Sequence, residues 1–169
     1  MDVPLTDRGR RQALEATGVL VRAGVRRPVR LFSSDQARAA ETAGIIAAQL
    51  GVDTVYSPLL REQALGRLEG RLSRDLTPQP VRDGADISEI AWGGGETIEQ
   101  AWRRVAAFAD THLRTGEQGD VIVVSHGTLL QVFASYLSGR SHRAVDWTLS
   151  VPNGGVIIRT VPVSAPPVR

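Results

Sequence analysis

The sequence predicts an α/β fold, a three-layer α/β/α sandwich around a mainly parallel sheet, on three observations. Short β-branched runs alternate along the chain with longer segments of helical periodicity. The clearest run, Asp120-Val121-Ile122-Val123-Val124-Ser125, is apolar without alternation, as a parallel strand covered on both faces must be. Two strand candidates end in small polar residues directly before a helix, which is how a βα turn reads at the carboxyl edge of a sheet. The chain has 169 residues, 42% of them hydrophobic and 22% charged. At this length roughly 70% of the unfolded surface becomes buried. Residues 1–169 are therefore read as one domain, with no repeat, low-complexity segment or linker.

Taken in order, Thr6 can cap a first helix over about 7–23, where Ala13, Leu14, Ala16, Val19 and Leu20 recur at helical spacing before Gly24. Val29-Arg30-Leu31-Phe32-Ser33 reads as a strand, and the alanine-rich run from Asp35 to Leu50, closed by Gly51, as the next helix. Residues 53–57 form a second strand candidate, ended by Pro58. From there to Gly95 periodicity is weak, with helical hints only near 72–76 and 86–91, so the stretch reads as a functional insertion. Glu96 to Arg114 is a long amphipathic helix with Ile98, Ala101, Trp102, Val105, Phe108, Ala109 and Leu113 on one face. The strand at 120–125 follows, then a helix from Gly127 through Leu137 and a loop from Gly139 to Trp147. A last strand candidate covers Val156 to Val161 after Asn153-Gly154-Gly155.

Composition removes several classes of function. The absence of cysteine excludes a disulfide framework, a thiolate nucleophile and a thiolate-bound metal, and agrees with a cytoplasmic location. His112, His126 and His142 are too far apart for a local ligand pair, so neither a metal nor a cofactor is expected. No apolar stretch approaches the ~20 residues of a membrane span, and the opening Met1-Asp2-Val3-Pro4 is not a signal peptide. The high pI of 9.9 arises because all 20 basic residues are arginine. The net charge is only +2, the arginines are spread along the chain with a local cluster at Arg22, Arg26, Arg27 and Arg30, and aromatics are 5%, so a nucleic-acid partner is not expected. Arginine without lysine, beside abundant Ala and Gly, points to a GC-rich bacterial genome.

Three segments carry residues suited to chemistry. Ser125-His126-Gly127-Thr128 places an imidazole at a strand tip, with the N–H groups of Gly127 and Thr128 at a helix start that favours anions. The plain alternative is a capping histidine held by a backbone carbonyl. Arg38, one turn into the helix after Ser33-Ser34, offers a planar fork of donors suited to phosphate oxygens. Its alternative is an ion pair with Glu41 or Asp35 of the same segment. Within Leu60-Arg61-Glu62-Gln63-Ala64-Leu65-Gly66-Arg67-Leu68-Glu69-Gly70, a desolvated carboxyl could serve as a general acid, whereas Glu69 reads as a solvated loop residue.

Together these segments resemble the histidine phosphatase superfamily, also called the phosphoglycerate mutase-like family. The matching motifs are Pro4-Leu5-Thr6 with Gly9 and Gln12-Ala13, Ser33-Ser34 with Arg38 and Thr42-Ala43, and Arg61-Glu62 with Gly66 and Glu69-Gly70. They continue as Gly94-Gly95-Glu96-Thr97, Val124-Ser125-His126-Gly127 and Asn153-Gly154-Gly155-Val156, in the family's order across residues 4 to 161. The resemblance implies the phosphoglycerate mutase-like sandwich and a pocket for small-molecule phosphomonoesters, hydrolysed through a phosphohistidine without a metal. By position Arg38 resembles the pocket's second arginine, Glu62 its proton donor and His126 its second histidine. Arg38, His126, Gly127 and Thr128 would hold the phosphate.

The sequence departs from the family at one motif. The family's nucleophile is a histidine in an Arg-His-Gly motif just upstream of Pro-Leu-Thr, and no Arg-His-Gly occurs here. Neither His112 nor His142 matches that position. The expectation is a chain that begins after the first strand, with a C-terminus that reads as short at Pro162, Pro166 and Pro167. Such a chain should be inactive as it stands. The alternative is a catalytically dead member that binds a phosphorylated ligand or acts as a scaffold. A phosphatase is favoured over a mutase because the segment from Glu62 to Glu96 is short, and residues 58–95 would set specificity. With the first strand missing, the open edge of strand 121–125 should be covered by a second copy in a homo-oligomer, a swapped segment or the C-terminal tail.

Overall fold

The computed structural model describes residues 2–71, 83–113 and 119–161. In chain order the elements are α1 (Asp7–Arg22), β1 (Val29–Ser33), α2 (Ala37–Leu50), β2 (Thr54–Tyr56), α3 (Ile98–His112), β3 (Asp120–Val124) and α4 (Gly127–Leu137). Short 3₁₀ turns lie at Pro58–Leu60, Gly66–Leu68, Ile87–Glu89, Trp92–Gly94 and His142–Ala144. The strands form a parallel sheet in the order β2-β1-β3.

Local chemistry sets the ends of the helices. The Thr6 hydroxyl accepts the Gly9 N–H to start α1, and Thr97 and Gln100 form a reciprocal capping box at the start of α3. The strands then divide their side chains between two cores. Phe32 of β1, with Val121 and Val123 of β3, faces Val105, Phe108, Leu129 and Phe133 of α3 and α4. Leu31, Ile122 and Val124 face Ala39, Ala43 and Ile46 of α2, whose small side chains let the helix sit close to the sheet. Phe108 is fully buried and meets Phe32 and Phe133 edge to face, with ring centres 5.3 and 5.8 Å away. With α1 packed on α2, helices cover both faces of the sheet and make the three layers the sequence predicts.

Some expected boundaries move. The second strand is three residues long rather than five, α2 begins at Ala37, and β3 ends at Val124. The hint at 86–91 becomes a single turn at Ile87–Glu89, and that at 72–76 lies outside the described residues. The strand expected over 156–161 does not form, and Ile158 is largely exposed. Its β-branched composition fits a pleated surface only where a neighbouring strand supplies the ladder. Residues 156–161 pair with none of the described strands, so they do not cover the edge of β3 either.

Candidate active site

Strand register brings the chemistry together. Ser33 pairs with Tyr56 on one side and Val124 on the other, so all three strands end at one level. The ladder runs one residue further, with the Ser57 N–H on Ser33 O at 2.8 Å and the Ser34 N–H on Val124 O at 2.9 Å. The chain leaving each strand therefore enters the same carboxyl edge. Those exits lead to Arg38 in the first turn of α2, to Glu62 in the loop after β2, and to His126 at the start of α4.

His126 is 6% exposed, and its Nε2 lies 2.9 Å from Ser34 Oγ. It occupies the N-cap position of α4, yet its side chain caps nothing, so the capping alternative does not hold. Burial pushes its imidazole down to about 4. The positive charges of Arg38 and Arg104 act in the same direction, while Asp2 and Asp35 oppose it. The ring is neutral at neutral pH.

Arg38 is partly buried on the same edge. Of the two carboxylates that could pair with it along its own segment, Asp35 accepts a bidentate pair from Arg61, with Nε at 2.6 Å and Nη2 at 2.5 Å. Those bonds hold the Asp35 carboxyl below its ordinary range. Glu41 accepts from the Leu5 N–H at 2.8 Å and from Arg10 Nε at 2.7 Å. Asp2 reaches the start of α2, where its carboxylate accepts the Ala37 N–H at 2.6 Å.

Glu62 sits on the N-terminus of α4. Its carboxylate accepts the N–H groups of Thr128 at 3.4 Å, Leu129 at 3.2 Å and Gln63 at 3.0 Å. This corrects one expectation: the Thr128 N–H, read as a phosphate donor, is turned to Glu62, because a helix start attracts the nearest carboxylate. The exposed Gly127 keeps open space before the helix, since a Cβ placed there would meet nothing within 4 Å.

A scaffold that sequence reasoning missed holds the Glu62 loop. Arg104 of α3 grips Glu96 with Nε at 2.6 Å and Nη2 at 2.7 Å, and its Nη1 donates to the carbonyls of Leu59 at 2.6 Å and Arg61 at 3.1 Å. Gln63 Nε2 donates to Glu96 O at 2.8 Å, and the Glu96 N–H to Ala64 O at 2.7 Å. The two backbones approach so closely that a Cβ on Gly95 would stand 2.1 Å from Ala64 O, and one on Gly66 2.5 Å from Gly93 O. Glu96 precedes α3 and lies eight residues from Arg104, a spacing that gives no helical pairing signal.

The other histidines lie elsewhere. His112 packs against Phe32 and Phe108 with ring centres 4.6 and 4.8 Å away, and His142 lies 3.7 Å from Glu89. Glu69 is exposed. A cleft of about 310 Å³ between α1 and α2, lined by Leu14, Thr17, Gly18, Val21, Arg22 and Gln49, holds no acid–base pair. The constellation of acid, imidazole and guanidinium at the sheet edge is the better candidate. Among the described residues no helix is long and apolar enough to cross a membrane.

A family model described as the histidine phosphatase superfamily, branch 1, matches residues 1–162. A probable phosphoglycerate mutase of Yersinia pestis is 34% identical over 147 residues, covering 82% of this chain. The chain spans 65% of the length of the curated relatives it matches. Among solved structures, a mycobacterial hydrolase superposes with a TM-score of 0.70 at 24% identity, over 84% of this chain and 72% of the other, a likeness of fold. A mycobacterial glucosyl-3-phosphoglycerate phosphatase superposes at 0.62 with 25% identity, over 85% and 71%.

Proposed function

This chain belongs to the histidine phosphatase superfamily, and from that premise we propose that its sheet edge is the phosphate-holding and acid part of a phosphomonoester hydrolase site. The observation that carries the proposal is the meeting of His126, Arg38 and Glu62 where three level strands end. A transferring phosphoryl group spreads charge over three equatorial oxygens and needs donors from several directions. Arg38 supplies a charged fork, neutral His126 a ring N–H and Gly127 a backbone N–H. Glu62, carried by the loop after β2 onto the start of α4, is the acid of the site: once protonated it gives that proton to the alkoxide as the P–O bond breaks. In a reaction of this type an imidazole would take the phosphoryl group, and water would then attack phosphorus, passing its proton to the Glu62 carboxylate as the P–N bond breaks and the imidazole leaves.

That nucleophilic imidazole is not one of this chain's three histidines, since His126 is bonded to Ser34 and the other two lie away from the edge. The substrate class is a small-molecule phosphomonoester, handled in the cytoplasm, with hydrolysis favoured over mutase chemistry. A second reading, a family member that binds a phosphorylated ligand without turning it over, is favoured by the geometry, in which His126 Nε2 is engaged by Ser34 Oγ while His112 packs on Phe32 and Phe108 and His142 lies beside Glu89. The purified chain should bind inorganic phosphate and hydrolyse p-nitrophenyl phosphate only at background, with binding weakened by Arg38→Ala. Robust hydrolysis would overturn the assignment of the nucleophile. Phosphate binding unaffected by Arg38→Ala would overturn the site.

A further inference from the structure

The Ser34 hydroxyl is fully buried between two partners, and its hydrogen-bond bookkeeping has one solution. A serine hydroxyl donates once and accepts up to twice. Ser34 Oγ accepts the backbone N–H of Gln36 at 3.2 Å and lies 2.9 Å from His126 Nε2. If Nε2 carried the imidazole proton, Ser34 would accept from both neighbours and its own proton would be left without an acceptor in a dry interior. A buried donor left unsatisfied is the more costly arrangement. If Ser34 donates to Nε2, every group in the chain Gln36 N–H, Ser34 Oγ–H, His126 Nε2 is satisfied, and the ring proton resides on Nδ1.

We propose that Ser34 is a positioning residue of the phosphate site: its hydroxyl donates to His126 Nε2, fixes the ring proton on Nδ1, and so presents that N–H to a phosphoryl oxygen. The proposal rests on the reading of the sheet edge as a phosphate site. Burial and the nearby guanidinium of Arg38 both disfavour a protonated ring, which agrees with a neutral tautomer held by one bond. The position of Ser34 follows from the sheet. The Ser34 N–H is tied to Val124 O, two residues before His126, so the hydroxyl and the ring are set by the same pair of strands.

The test is a long-range proton–nitrogen NMR correlation on the isotope-labelled chain near neutral pH, with the His126 signals identified by their loss in His126→Gln. The expected result is an Nδ1–H tautomer for His126. Ser34→Ala should move the tautomer ratio toward Nε2–H by roughly fivefold to tenfold, the change that one neutral hydrogen bond is worth. Ser34→Thr, which keeps the hydroxyl, should restore it. An Nε2–H tautomer in the unaltered chain overturns the proposal without recourse to any variant. So does an unchanged ratio in Ser34→Ala whose amide spectrum is otherwise retained. Titration with inorganic phosphate separates the two levels. An Nδ1–H tautomer whose signal does not move with phosphate overturns the phosphate-site reading and Ser34's part in it, whereas a shift reduced in Ser34→Ala supports both.

Discussion

Arg104→Met removes the guanidinium that ties the Glu62 loop to α3 while keeping much of the aliphatic stem. Four donor contacts are lost, two to Glu96 and one each to the carbonyls of Leu59 and Arg61. The Arg104 and Glu96 side chains are 21% and 15% exposed, so a mostly buried carboxylate is left without its partner. Breaking a fully buried pair costs about 3–5 kcal/mol, and the residual exposure here brings the expected loss to about 2–4 kcal/mol. For a chain of this size a loss of about 3 kcal/mol lowers the melting temperature by roughly 6–12 °C. Urea unfolding of the single variants and of the double variant with Glu96→Gln should return a coupling of about 1–3 kcal/mol. Amide exchange at Thr128 and Leu129 should quicken in Arg104→Met, because the loop that carries Glu62 loses its anchor. A loss below about 1 kcal/mol with additive singles is the behaviour of a surface ion pair, and would refute the anchoring role.

Other perturbations test the remaining physics. Folded His126 titrates at about 4 against an ordinary 6.5, so the unfolded chain binds more protons and stability falls as pH drops from 6.5 toward 4. The loss attributable to this ring by about pH 5 is at most about 2 kcal/mol, and comparing urea midpoints at neutral and acid pH should show a shallower slope in His126→Gln. An equal slope would count against a buried neutral ring. Phe108→Ala should cost about 3–5 kcal/mol, since Phe108 is fully buried between two aromatic partners, and a thermal melt within a degree of the parent would contradict that packing. Gly95→Ala would drive a Cβ into Ala64 O, so the crossing of 64–66 with 93–96 must open, read as faster exchange at the Glu96 amide; unchanged exchange would refute the close approach.

What the sequence revealed and what it hid follow from the range of the interactions. The elements α1, α3 and β3 carry their own signals, in a capped start, an apolar face or a continuous β-branched run, and the structure forms them within two residues of the sequence reading at each described end. The motifs also pointed to Arg38, Glu62 and His126, because unusual residues at strand exits are visible locally. The hold of Glu62 on α4 is different, since it joins residues 66 and 67 positions apart and no local pattern announces it. In the sequence Arg104 is one more polar position of an amphipathic helix, and its partners lie before that helix and in another loop. The segment 156–161 failed for the opposite reason: its local β-branched signal was real, but no described strand supplies the ladder it needs.

The register of the sheet links these levels. Because Ser33 lies opposite Val124, Ser34 emerges beside the residues that lead into α4, and the His126 ring meets its hydroxyl. A slip of β3 by one residue would exchange its two faces, sending Ile122 and Val124 toward α3 and α4 and Val121 and Val123 toward α2. The same slip would carry His126 one residue along the strand axis, about 3.3 Å, which exceeds the tolerance of a hydrogen bond. The two-sided core that stabilises the sheet therefore also fixes the imidazole. Core substitutions that loosen β1 against β3 should disturb the His126 tautomer before they unfold the chain, whereas those confined to the α1–α2 contact should lower stability and leave the tautomer unchanged.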